Sequence, residues 1–114
     1  MCQLLGMNSR LPATLNLSFT GFAQRGGSTG HHSDGWGMAF FESDDEGPGK
    51  GVRLFVDKDS ASTSVVANML RTYPIKSHNV VAHVRKATVG AVTLENCHPF
   101  VRELWGRYWF FAHN

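Results

Sequence analysis

The chain has 114 residues, which is the size of one domain or part of one and excludes a second full domain. Its composition, 42% hydrophobic and 18% charged, excludes a disordered chain, because disordered chains combine few apolar residues with many charges. The net charge is only +2 with His neutral and the basic residues are scattered, so we expect no nucleic-acid partner.

The longest apolar runs exclude a membrane span. Runs such as residues 38–41 and 109–112 are far shorter than the roughly 20 residues that cross a bilayer. The N-terminus also lacks the basic start and apolar middle of a signal peptide, so we expect a cytoplasmic protein without membrane contact. Cys2 and Cys97 are too few for a disulfide framework and lack zinc-ligand spacing, so we expect free thiols.

The first half of the chain has the pattern of a strand, a helix and a hairpin. After a strand at the start, apolar residues at helical spacing predict a helix over residues 14–25, ended by the glycines of residues 26–30. Two strand-like runs over residues 36–41 and 52–57 flank a polar, glycine-rich stretch over residues 43–51. This arrangement predicts a β-hairpin with a long loop.

A second helix follows the hairpin. Ser60 or Ser62 is predicted to cap it, and Val65, Met69 and Tyr73 fall on one of its faces at i, i+4 and i+8. Val66 and Leu70 lie alongside them. The proline after Tyr73 ends the helix. We expect this helix to pack on a sheet.

Two more strands are predicted after this helix. In a strand over residues 80–85, the even-numbered apolar residues line one face, and Val81, His83 and Arg85 line the other. A last apolar strand over residues 108–112 follows a turn at residues 105–107. Strands at the start, middle and end with helices between them indicate an α+β layered domain.

Cys2 is the first candidate for chemistry. Removal of Met1 gives Cys2 a free α-amine, which titrates near pH 7.7 to 8.0 and can pass the proton of the thiol to a leaving group. This is the logic of an N-terminal nucleophile, and it requires the loss of Met1. The position of Cys2 taken alone favours the other interpretation, a small buried side chain in the first strand.

Five segments of the chain form an ordered set. They are CQLLG at residues 2–6, HSDGWGMAF at 32–40, HVRKAT at 83–88, NCHPF at 96–100 and FAHN at 111–114. The set resembles the glutaminase domain of class II glutamine amidotransferases, of the N-terminal nucleophile hydrolase superfamily, and most closely their bacterial stand-alone branch. The resemblance implies an α+β fold of the αββα sandwich type. We expect residues 1–114 to be the N-terminal portion of a single domain of this type.

The resemblance also implies roles for five residues. Cys2 corresponds to the nucleophile that attacks the side-chain amide of glutamine and releases ammonia through a γ-glutamyl thioester. Asn114 corresponds to a donor of the oxyanion hole. Arg85, with Thr88 beside it, corresponds to the residue that holds the substrate carboxylate, for which a guanidinium fork is suited. Asp34 lies in the turn beside the nucleophile and is a candidate binding residue.

Some features of the family pattern are absent from these 114 residues. Val89 stands where many members have His, and these residues stop at Asn114, before the position of the Gly that follows the oxyanion Asn in the family. Losing one oxyanion donor costs about 100- to 1,000-fold in rate, so we expect the 114-residue chain to be a weak or inactive glutaminase by itself. No ammonia-accepting domain fits in the chain, so the acceptor, if any, is a separate enzyme.

We expect no cofactor and no metal. His31 and His32 are adjacent and lack a partner at ligand spacing, and Cys97 and His98 are predicted to be a packing cysteine and a structural histidine that point in opposite directions. Two alternatives to a glutaminase remain. One is an N-terminal nucleophile amidohydrolase for another amide, in which Arg85 need not meet an α-carboxylate, and the other is a non-catalytic domain that binds an amino acid or a partner protein.

Overall fold

The protein is an α+β chain rich in strands, as predicted. A computed structural model describes residues 2–15, 34–44, 47–86 and 89–113. In chain order the described elements are β1 (Gln3–Ala13), β2 (Trp36–Asp44), β3 (Gly47–Asp57), α1 (Val65–Thr72), β4 (Ser77–Val84), a 3-10 helix (Leu94–Asn96), β5 (Phe100–Leu104) and β6 (Arg107–Phe111). The predicted helix over residues 14–25 lies outside the described residues except for its first two positions, and no helix in the described part is long and apolar enough to cross a membrane.

Two antiparallel sheets organise the described residues. Four strands form the larger sheet in the order β1-β4-β2-β3, and β5 and β6 form a separate hairpin. Because side chains alternate along a strand, β2 and β4 offer one face to α1 and the other to the β5-β6 sheet and the segment that leads into it. This alternation places the helix and the smaller sheet on opposite faces.

The helix-facing side of the larger sheet carries the main core. This core combines apolar residues of β2 and β4 with the buried face of α1; it includes Trp36, Met38, Phe40, Ala67, Leu70, Val80, Ala82 and Val84. On the opposite side, Phe41 meets Phe110 edge to face at 5.2 Å between ring centroids. The described part therefore has three layers: a helix, a four-stranded sheet and a two-stranded sheet.

Helix α1 begins later in the sequence than predicted. Its N-cap is Ser64, whose side chain accepts a hydrogen bond from the Ala67 N–H at 3.2 Å and donates one to Asp57. The predicted caps, Ser60 and Ser62, lie in the preceding turn and hydrogen bond to each other.

The predicted packing face of α1 is wrong for its main stripe and right for the residues alongside it. Val65 is 83% exposed, and Met69 and Tyr73 are exposed as well. Leu70 is buried as predicted, together with Ala67. Two apolar stripes run along this helix at the same spacing, and the small Ala67 side chain allows the second stripe to approach the sheet closely.

The hairpin is confirmed, but its loop is shorter than predicted. The two strands extend to Asp44 and restart at Gly47, so most of the predicted loop belongs to the ladder, with a register shift after Phe41. Pro48 is tolerated because β3 is an edge strand, where a missing N–H costs no ladder hydrogen bond.

The last strand pairs with one that the sequence pattern did not indicate. The strand predicted over residues 108–112 is β6, which starts at Arg107 and pairs with β5. Trp105 and Gly106 both have positive φ, at 55° and 75°, as a two-residue type I′ turn requires. The mixed charged and apolar residues of β5 show no clear period, so this strand was missed.

Candidate active site

The ends of three neighbouring strands, β1, β4 and β2, lie side by side along one edge of the larger sheet. This edge is formed by strand ends and is distinct from the edge strand β3. Gln3 of β1 pairs with Val84 of β4, and Val84 pairs on its other side with Trp36 of β2. The residues just beyond this row are therefore brought together although they lie far apart in sequence. They are Cys2 before β1, Arg85 after β4, and Asp34 and Gly35 before β2.

The backbone that follows β4 holds the Cys2 thiol. The Lys86 N–H donates to Sγ at 3.4 Å, and Sγ lies 3.6 Å from the Lys86 carbonyl oxygen. Cys2 is half-buried and lies before the first residue of β1, not inside the strand. The sulfur thus has a fixed direction and remains partly accessible, which a nucleophile needs and a packing residue does not.

Arg85 is a buried cation at the same strand ends, directly after β4. It is 7% exposed, and its backbone N–H donates to the Gly35 carbonyl at 2.8 Å, which ties β4 to the turn before β2. Its guanidinium donates to the carbonyls of Ala91 at 2.9 Å and Val89 at 3.4 Å. Within the described ranges it forms no ion pair with an Asp or Glu. A guanidinium has five N–H donors, so donors remain for a further acceptor.

Two glycines let the segment of residues 97–99 press against the start of β2. At Gly35, with φ +114°, a Cβ would lie 2.5 Å from Cys97 Sγ. At Gly37 a Cβ would lie 2.0 Å from the His98 carbonyl oxygen. The predicted close backbone approach in the Asp34-Gly35-Trp36-Gly37 turn is therefore confirmed, and Asp34 lies half-buried at its start.

Three histidines form a cluster, the histidine stack, behind this edge. His83 of β4 is 1% exposed and lies with its ring centroid 4.4 Å from that of His98, which lies 4.9 Å from that of His113. The His113 backbone N–H donates to His98 Nδ1 at 3.3 Å. Neither ring nitrogen of His83 has a hydrogen-bond partner in the described part of the chain. The ring planes of His83 and His98 are tilted by 35° and those of His98 and His113 by 54°. No group of described His, Cys, Asp or Glu residues could hold a metal ion.

Burial keeps the inner histidines of the stack neutral. The pKa of His83 is lowered to about 4, mainly by burial and then by the charges of His98, His113 and Arg85, while an interaction with the His113 backbone partly opposes the shift. The pKa of His98 is also lowered, first by burial and then by His113. At neutral pH both rings therefore act as uncharged groups.

We expect the folded state to lose stability on acidification because of His83. Its pKa is about 4 when folded and near 6.5 when unfolded, so between these values the unfolded chain binds more protons. Between pH 7 and pH 5, protonation linked to this residue is therefore expected to lower the free energy of unfolding by about 2 kcal/mol. Urea unfolding at the two pH values measures the loss. A His83→Phe variant should lose less stability over the same range, and equal losses in both proteins would contradict the assignment.

The sequence-predicted residues divide into three groups. Cys2, Arg85 and Asp34 are brought to one edge, whereas Thr88 and Asn114 lie outside the described residues, as do Met1, His31 and His32. Cys97 is confirmed as a packing cysteine, because it is 3% exposed and its Sγ lies 3.4 Å from the Asp57 carbonyl. The Lys86 N–H and the stacking of His83 on His98 were missed, since no local pattern reports a contact between distant backbone segments.

Comparison with known proteins identifies the family. The family model of class-II glutamine amidotransferases matches residues 1–114. The chain belongs to the class-II glutamine amidotransferases. The resemblance inferred from its motifs is thus confirmed, and the match extends over all five segments.

Two relatives of this amidotransferase chain are bacterial proteins named for the same activity. It is 55% identical over 114 residues to a Haemophilus influenzae protein named "Putative glutamine amidotransferase", covering all of this chain and 37% of the relative. It is 54% identical to "Putative glutamine amidotransferase YafJ" of Escherichia coli, covering all of this chain and 42% of the relative. The chain thus spans about two fifths of the length of these relatives.

A solved structure supports the fold. This chain matches the crystal structure of a "predicted glutamine amidotransferase" from Pseudomonas aeruginosa with a TM-score of 0.57 and 44% identity. The match covers 99% of this chain and 42% of the other. The α+β fold class is therefore confirmed, and the three described layers are consistent with part of an N-terminal nucleophile type of fold.

Proposed function

We propose that this protein is a glutaminase that hydrolyses the side-chain amide of glutamine, with Cys2 as its nucleophile. The observation that carries the proposal is that the strand pairing brings an oriented, half-buried thiol and a buried cation, Arg85, to the same end of the sheet, and that Arg85 has no acidic partner among the described residues. We also propose that residues 1–114 are the N-terminal portion of one glutamine amidotransferase type 2 domain, since they span about two fifths of the relatives' length.

The proposed reaction begins once Met1 has been removed. The α-amine of Cys2 takes the proton of the thiol, and Sγ attacks the amide carbon of glutamine to form a tetrahedral intermediate. The side chain of Asn114 donates a hydrogen bond to the oxyanion. The ammonium of Cys2 then gives its proton to the departing ammonia as the C–N bond breaks. Water hydrolyses the resulting γ-glutamyl thioester to glutamate and restores the thiol.

Arg85 is proposed to bind the α-carboxylate of glutamine. A buried guanidinium is costly without a negative partner, and a substrate carboxylate supplies one. The hydrogen bonds to the carbonyls of Val89 and Ala91 hold the plane of the guanidinium and leave donors for a carboxylate. Thr88 and Asp34 are proposed as further substrate contacts because they flank Arg85 and Gly35 in sequence.

The wider setting of the proposed reaction follows from the same chemistry. A free nucleophilic thiol requires a reducing compartment, so we propose a cytoplasmic location. The ammonia released is proposed to pass to a separate acceptor enzyme. In the non-catalytic alternative, Met1 is retained, and the intact mass of the purified protein distinguishes the two forms.

Covalent labelling tests the site with a control inside the same chain. A glutamine analogue that carries an electrophilic ketone in place of the amide is expected to add once, to Cys2. Cys97 is expected to remain unmodified because it is 3% exposed and packs against Gly35 and Asp57. Peptide mass spectrometry locates the adduct.

Two comparisons test whether the labelling depends on recognition of glutamine. Arg85→Ala is expected to raise the concentration needed for half-maximal labelling about 10- to 100-fold, because hydrogen bonds to charged groups contribute about 1.5 to 3 kcal/mol. The analogue of asparagine with the same electrophile should label slowly. Equal labelling by both analogues would favour an amidohydrolase of another specificity, and absence of label on Cys2 would contradict the proposed nucleophile.

A further inference from the structure

The histidine stack lies where three parts of the fold meet. His83 belongs to β4 and lies two residues before Arg85, His98 follows the packed Cys97, and His113 follows the end of β6. The stack therefore connects the edge that carries Cys2 and Arg85 with the end of the second sheet. Its contacts join the backbone that follows β6 to that edge.

His98 is held rigidly on every side that the structure describes. Its carbonyl oxygen occupies the space where a Cβ of Gly37 would lie, so its backbone is fixed against β2. Its ring stacks on His83 at 4.4 Å and meets the Phe100 ring edge on at 4.3 Å. A side chain fixed at both backbone and ring presents its remaining polar atom in one direction.

That polar atom contacts the backbone directly before Asn114. His98 Nδ1 accepts the hydrogen bond from the His113 N–H at 3.3 Å. Because an accepting nitrogen carries no proton, the proton of neutral His98 lies on Nε2. The bond fixes the peptide unit that enters His113, and the next residue in the chain is Asn114.

We propose that His98, supported by the stacked His83, is a positioning residue that sets the backbone at His113 so that Asn114 reaches the oxyanion. This inference rests on the proposed glutaminase function. Oxyanion donors act only when they lie about 3 Å from the developing charge, so a small displacement of the backbone removes much of their effect. A misplaced donor reduces the stabilisation of the transition state more than it reduces substrate binding. The expected loss of activity is therefore a decrease in kcat.

The nitrogen of His98, and not its ring shape, carries this role. A phenylalanine ring would fill the same place between His83 and Phe100 without burying a polar atom that needs a partner. Asparagine lacks the ring but places its side-chain oxygen close to the position of Nδ1 and can accept the same hydrogen bond. The two substitutions thus separate the packing of His98 from its hydrogen bond.

Steady-state glutamine hydrolysis by the protein encoded by the complete reading frame tests the inference. His98→Phe is expected to lower kcat about 10- to 100-fold with little change in KM, a part of the about 100- to 1,000-fold loss seen when an oxyanion donor is removed. His98→Asn is expected to recover most of that loss. His78→Phe is the matched control, since His78 lies at the far end of β4 and its ring contacts the Ser9 backbone; its kcat should match the wild type.

The outcomes separate the inference from the proposed function. Wild-type ammonia release that Cys2→Ala loses supports the function, and an inactive wild type overturns both. With an active wild type, an unchanged kcat in His98→Phe overturns the inference alone, as does an equal loss in His98→Phe and His98→Asn. Alkylation of Cys2 by iodoacetamide at the wild-type rate in His98→Phe shows that the nucleophile and the fold around it are retained.

Discussion

Replacement of Cys2 by alanine is expected to abolish the release of ammonia from glutamine, with a loss of about 10,000-fold or more in kcat, because removal of a covalent nucleophile leaves only binding and charge stabilisation. The Cys2 thiol is oriented by the Lys86 N–H at 3.4 Å, whereas the other thiol, that of Cys97, is buried. A coupled assay for ammonia at saturating glutamine, with the protein encoded by the complete reading frame, measures the effect.

Two variants control for nonspecific damage. Cys97→Ala removes the other thiol, which is buried and hydrogen bonded to the Asp57 carbonyl, and should keep kcat within a few-fold of the wild type. Cys2→Ser keeps the size of the side chain but supplies a weaker nucleophile and should retain only traces of activity. Ammonia release by Cys2→Ala at the wild-type rate would show that the nucleophile lies elsewhere.

Replacement of Gly37 by alanine is expected to destabilise the fold by about 3 kcal/mol or more, at the upper end of the usual range for overpacking. The added methyl group would lie 2.0 Å from the His98 carbonyl oxygen, and this neighbour is backbone that cannot rotate away. The segment of residues 97–99 must therefore move off β2, and the histidine stack with it. Urea unfolding measures the change.

Gly6 offers a matched control for this substitution. It lies in the same sheet, in β1, but a Cβ there would meet nothing within 4 Å. Gly6→Ala should therefore change stability by about 0.5 kcal/mol or less, or increase it slightly, because alanine has less freedom to lose on folding. If the two alanine variants unfolded at the same urea concentration, the tight packing at Gly37 would be refuted.

Local pattern predicted those parts of the fold that depend on neighbouring residues. The alternation in β4, the hairpin of β2 and β3 and the turn before β6 each follow from a short stretch of sequence. The helix face was not predictable, because the stripes through Val65 and through Val66 have the same period and only the sheet surface chooses between them. Strand β5 was missed because its residues acquire a partner only in β6.

The candidate site likewise combines residues that the sequence predicted with contacts that only the folded structure reveals. Cys2 and Arg85 were found from residue chemistry and from the resemblance, which identified motifs without requiring their positions. The stacking of His83, His98 and His113 depends on contacts among three segments that are distant in sequence. Residue identity gave no reason to separate His98 from a structural histidine until its bond to the His113 backbone was visible.

The pairing of β1 with β4 has a consequence for the order of folding. Cys2 and Lys86, whose contact fixes the thiol, lie 84 residues apart in the chain. Closing so large a loop costs entropy before any contact repays it, and contacts between distant residues slow folding. Cys2 therefore emerges early during synthesis, but its sulfur is oriented only when a strand made much later docks beside β1, so the appearance of thiol reactivity towards glutamine analogues reports completion of the sheet.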